Sequence, residues 1–162
     1  MIGYEFIHKR EKSNTSLFVK LINESNDLLK SEGKDIYINI YGETNLLKRA
    51  NVITFNFEYG NQYIQHSFAS LIFTDVFGIQ IRSGCFCAGP FGIELLKIDS
   101  EKVQTIEEEV EAGIMINKPG YLRLDLTFYL EDYEVEYIAA ACLLIAKYWR
   151  NFAKLYTICN NG

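Results

Sequence analysis

The sequence predicts an α+β domain: a small antiparallel or mixed sheet with helices packed on one of its faces. Three observations lead there. Leu17, Phe18, Leu21, Ile22, Leu28 and Leu29 recur at about the helical period. Separate segments further on alternate apolar and polar residues at period two, which marks strands covered on one side only. A second helical stripe, Val135, Ile138, Cys142, Ile145 and Trp149, closes the chain. With 162 residues, no internal repeat and no Gly/Ser/Pro-rich linker, the chain reads as a single domain, 1–162.

Taken in order, the first third is mostly one amphipathic helix, stopped by Gly33. Ile36, Ile38 and Ile40 then interleave with Tyr37, Asn39 and Tyr41, and Ile53, Phe55 and Phe57 with Thr54 and Asn56, giving two strands. Gly42-Glu43-Thr44-Asn45 opens the turn or loop between them. A helix is expected from about Gln65 to Phe77, with Phe68, Leu71, Ile72 and Val76 on one face. A short strand from Ile79 to Arg82 should follow, leading into a loop rich in Gly and Cys. Pro90 suits the first turn of a short helix through Ile93 and Leu96. The acidic run Glu107-Glu108-Glu109 reads as a solvated surface segment. Leu122, Leu124, Leu126 and Phe128 alternate with Arg123, Asp125 and Thr127 as the cleanest strand, and the last helix starts near Asp132.

Composition narrows the function classes. Apolar residues make up 49% and charged residues 23%, as in an ordinary globular protein. Sixteen basic against 21 acidic residues leave a net charge of -5, without the basic stripe that nucleic-acid binding needs. The longest apolar stretch, Tyr137 to Ala146, falls well short of the roughly 20 residues a membrane helix requires. The N-terminus places Glu5 where a signal peptide carries positive charge, so a soluble, cytoplasmic protein is expected. Four cysteines in a chain of this length do not read as a disulfide framework, and Cys85 and Cys87 lie too close for the usual zinc pairs.

The chemistry-bearing stretch is Arg82-Ser83-Gly84-Cys85-Phe86-Cys87-Ala88-Gly89-Pro90. A cysteine on a glycine-flanked loop before a helix is placed for thiolate formation, because unpaired N–H groups and the helix dipole favour the anion. The competing reading makes both loop cysteines small buried fillers. Arg123 stands on the polar face of its strand, and Gln80 and Arg82 alternate away from Ile79 and Ile81. A planar guanidinium there can capture a carboxylate bidentately, or pair with a neighbouring acid. His66 is expected at the surface, at a helix start. Cys142 is expected in the core, and Cys159 in the polar tail has no assigned role.

The cysteine loop resembles the active-site loop, Arg-Thr-Gly-x-x-Cys-Ala, of class V aminotransferase-like pyridoxal-phosphate enzymes, among them cysteine desulfurases, selenocysteine lyases and molybdenum cofactor sulfurases. Phe6 to Glu11 resembles the opening of the small domain of these enzymes, and Arg49-Ala50-Asn51-Val52-Ile53-Thr54-Phe55 one of its strands. Pro119-Gly120-Tyr121-Leu122-Arg123-Leu124-Asp125 resembles the strand carrying the carboxylate-binding arginine, and Glu134-Val135 with the last helix follows in order. The resemblance thus covers nearly the whole chain and implies the C-terminal small domain of a fold-type I enzyme. It makes Cys87 the sulfur-accepting nucleophile, with Cys85 its neighbour. Arg123, with Arg82, becomes the substrate-carboxylate ligand. It also implies pyridoxal phosphate held by a large domain, in the same enzyme or on a separate chain, together with a homodimer and a sulfur-acceptor protein. The cofactor lysine and phosphate cup cannot be placed here. His8-Lys9 imitates the lysine motif without its Gly-rich surroundings, which leaves Lys9 a surface residue. Two readings follow: the small domain of such an enzyme, not catalytic alone, or a stand-alone, non-enzymatic sulfur-relay or binding module.

Overall fold

In the computed structural model, which describes residues 3–42, 50–84, 89–96, 98–114 and 116–157, a long helix leads into an antiparallel sheet that is crossed and closed by further helices. Helix α1 (Tyr4–Ser31) buries Phe18, Ile22 and Leu29 along one stripe. It ends where Gly33 takes φ +67° and Lys34 N–H donates to Leu29 O, the left-handed exit that glycine makes without strain. Strand β1 (Tyr37–Tyr41) pairs antiparallel with β2 (Val52–Tyr59), and the short β3 (Gln62–Tyr63) folds back on β2. Helix α2 (His66–Phe77), β4 (Arg82–Gly84), α3 (Gly89–Leu95) and α4 (Ser100–Glu111) precede β5 (Tyr121–Asp125) and the last helix α5 (Asp132–Phe152).

Among the described residues the strand order is β1-β2-β5-β4, with β3 beside β2, and every pairing is antiparallel. This is the α+β architecture the alternation predicts. Ile38, Ile53, Phe55, Phe57, Leu122 and Leu124 point to one face, where α1, α2 and α5 cover them. Phe55 sits at the centre, packed against Phe18, Phe57 and Phe73. Each such fully buried ring contributes up to about 3 kcal/mol of hydrophobic stabilisation. β1 is an edge strand, and Asn26 of α1 blunts it: its amide donates to Ile38 O and accepts from Ile38 N–H. Glu131 and Glu134 form a capping box that starts α5. No helix among the described residues is long and apolar enough to cross a membrane.

Four elements differ from the expectation. The strand expected over Ile79–Arg82 lies at Arg82–Gly84 instead. Gly78 in the left-handed conformation and Ile79 N–H bonded to Phe73 O spend the intervening residues on leaving α2. α2 buries His66, Ala69, Ile72 and Phe73, while Leu71 and Val76 are about half exposed, so the buried stripe is rotated from the one expected. The acidic run Glu107–Glu109 is a solvated surface segment as expected, but it belongs to a helix, α4, which has no fully buried residue and is not expected from the sequence. β5 stops at Asp125, because Leu130 N–H and Asn14 both bond the Thr127 carbonyl and turn the chain into α5.

Candidate functional site

The face of the sheet opposite the core carries mostly polar residues and tyrosines. Register places Tyr41 opposite Thr54, Thr54 opposite Arg123, and Arg123 opposite Arg82. One row therefore crosses β1, β2, β5 and β4 and ends in two arginines side by side. Residues directly opposite on an antiparallel pair have Cβ atoms about 5 Å apart, where like charges are destabilising. Among the described residues neither guanidinium comes within ion-pair distance of a carboxylate. The Arg123 guanidinium lies 5.9 Å from the Tyr121 ring centroid, and its Nε is buried without a hydrogen-bond partner. Arg82 is exposed. Such a pair is short of negative charge and offers planar N–H donors, which suits an anion such as a carboxylate.

Further along the same face Tyr37 stands opposite Glu58, and Glu58 opposite Tyr63. Glu58 is only 9% exposed. Its carboxylate accepts from Tyr37 Oη, from Tyr41 Oη at 2.7 Å and from Asn39 Nδ2 at 2.6 Å. The hydrogen bond to Glu58, followed by burial and the nearby negative charge, pushes the Tyr37 phenol up to about 12. Burial first, and then the same carboxylate, raises Tyr41. Asn56, also buried, donates to Gly120 O at 3.0 Å and ties β2 to the loop before β5. The middle of this face is therefore buried, although alternation alone places Tyr41 on the side away from the core.

His66 corrects a second expectation. It is buried rather than on the surface, with Nε2 3.2 Å from Lys118 O and Nδ1 3.2 Å from Ser67 Oγ. Burial lowers its pKa; the Lys118 carbonyl opposes that shift and the Lys118 charge reinforces it. The other candidates fall as follows. Arg82 and Arg123, distant in sequence, are cross-strand neighbours. Cys87, Cys85 and Cys159 lie outside the described residues, the first two between Gly84 of β4 and Gly89 of α3. Cys142 is fully buried on α5, and burial pushes its thiol pKa up, as an inert core thiol requires. Lys9 is exposed on the first turns of α1, where Tyr4 stacks on His8.

The Glu58 cluster escapes a linear reading, because its donors look like ordinary polar positions until the register brings them together. No group of residues that could hold a metal ion occurs among the described residues. Comparison with protein-family models, with curated proteins and with solved structures returns no match.

Proposed function

We propose that this chain is the small, carboxylate-holding domain of a class V aminotransferase-like, cysteine-desulfurase-like pyridoxal-phosphate enzyme. The observation that supports this best is the Arg82–Arg123 pair on the polar face of the sheet, without a carboxylate partner among the described residues. An amino-acid substrate brings such a carboxylate. Arg123, backed by the Tyr121 ring, would take it bidentately, and Arg82 would add a second positive charge alongside. Cys87, which would accept sulfur, follows Gly84, the last residue of β4, by three positions in sequence.

The arginine row fits a substrate acid and not the cofactor. Its register neighbours are Thr54 and Tyr41, with no lysine to hold pyridoxal phosphate. The cofactor, which supplies an electron sink for bond cleavage at the substrate, is assigned to a lysine-bearing large domain. Titrating the chain with L-alanine while following the arginine Nε–H resonances tests the reading. A saturable shift at Arg123 is expected, at least tenfold weaker in Arg123→Gln, which is about 1.4 kcal/mol, and intermediate in Arg123→Lys. A folded Arg123→Gln chain that binds L-alanine as tightly as the native one would overturn it.

A further inference from the structure

A cleft of about 680 Å³ opens beside the Glu58 cluster, bounded by the β2–β3 hairpin, the start of α2, the α3–α4 junction and residues 116–120. Its size lies within the roughly 300–1,000 Å³ of small-molecule sites. Glu58, Tyr37 and Tyr63 all line it. We infer that this cleft binds a primary alkylammonium group, seated on the Glu58 carboxylate between Tyr37 and Tyr63.

The charge argument comes first. Glu58 is nine-tenths buried, and its hydrogen-bond donors among the described residues, two phenols and an amide, are neutral. Among the described residues no lysine, arginine or histidine reaches it within ion-pair distance. A buried carboxylate without a counter-charge is costly, and a cationic ligand removes that cost. Valence then narrows the ligand. Among the described residues, Oε1 accepts from Asn39 and Tyr41, and Oε2 from Tyr37 alone. A carboxylate oxygen has two lone-pair sites, so Oε2 retains room for one N–H donor, which a primary ammonium has and a quaternary one lacks.

The walls agree. Tyr37 and Tyr63 stand directly opposite Glu58 on the two neighbouring strands and are 45% and 38% exposed. Aromatic faces beside a carboxylate attract an organic cation further. The hydrogen bond to Glu58 and then burial raise Tyr37, and burial and then the Glu58 charge raise Tyr63, so neither phenol becomes a competing anion. Among the described residues, Lys102 of α4 and Lys118 border the same cleft against one further carboxylate, Asp99, so a second positive end on the ligand would meet two cations for one acid. The site is independent of the arginine row, and its failure would leave the carboxylate reading untouched.

The test is a titration of the full chain with n-butylammonium chloride, read at the ring resonances of Tyr37 and Tyr63. In parallel, 1-butanol serves as a neutral ligand with the same number of heavy atoms. Saturation with a Kd on the order of 1 mM is expected for the cation. The alcohol should bind at least tenfold more weakly, and so should the cation to Glu58→Gln with an unchanged circular dichroism spectrum. Equal binding of the alcohol, undiminished binding to folded Glu58→Gln, or no saturable shift with the cation would each overturn the proposal. Should Glu58→Gln fail to fold, the comparison of cation and alcohol on the native chain decides alone.

Discussion

Gly120 lies so close under the His66 imidazole that a Cβ on it would stand 2.4 Å from Cδ2 and 2.6 Å from Nε2. The ring cannot swing aside freely, because it is buried between Lys118 O and Ser67 Oγ. Gly120→Ala should therefore destabilise the fold by about 1–3 kcal/mol, the range for overpacking a filled site. Urea unfolding measures it. The double variant Gly120→Ala/His66→Ala should recover part of the loss, since the clash partner is gone.

His66 also sets an acid limit. Its folded pKa is lowered, so the native state favours the neutral ring while the unfolded chain protonates near the ordinary value of about 6.5. The stability it contributes is complete above that pH and is lost as pH falls towards the folded pKa. Unfolding midpoints of the native chain and His66→Gln, compared at neutral pH and near pH 5, should converge in acid if the ring is responsible.

At the alkaline end Tyr37, raised from 10.0 to about 12, acts alongside Tyr41, which burial and the Glu58 carboxylate also raise. The native state retains the Tyr37 proton longer than the unfolded chain. The Tyr37 contribution to stability is therefore full below about pH 10 and is lost between about 10 and 12. Spectrophotometric titration of the phenols should show Tyr37 ionising late in the native chain. In Glu58→Gln it should move back towards 10, because both the charged hydrogen bond and the nearby negative charge are removed.

Thiol reactivity separates the cysteines. Brief iodoacetamide exposure near pH 6, followed by peptide mass mapping, should label Cys87 first, Cys85 or Cys159 next, and Cys142 last. Cys142, fully buried with a raised pKa, should react only after unfolding. If Cys87 reacts no faster than Cys159, its assignment as a nucleophile fails for the chain by itself.

Periodicity located β1, β2, β5, α1 and α5 because each has one dry face, and a residue's neighbours in sequence report that face directly. α4 was illegible for the opposite reason: Val103, Ile106 and Val110 give it a thin stripe that is never fully buried, so the acidic run dominates its appearance. The buried side of α2 went to Ala69 and Phe73 over Leu71 and Val76, because Phe73 meets Phe55 and Phe57, a choice made by the sheet beneath and not by the helix. Arg82 and Arg123 could be placed on polar faces from alternation, but their position opposite each other is a matter of strand order, which alternation does not encode. The same holds for Glu58, whose three donors belong to a different strand.

That arrangement has a consequence for how the first two strands find each other. Residues 42–51 join β1 to β2, far longer than the two-residue turns that dictate hairpin alignment by their own geometry. Alignment must come from the strands. Tyr37, Asn39 and Tyr41 all reach the one carboxylate on β2, and a slip by a single residue would turn all three towards the core and bring Ile38 and Ile40 out in their place. Glu58 thus acts as a pin against mispairing, excluding the shifted ladders that a long connection would otherwise permit.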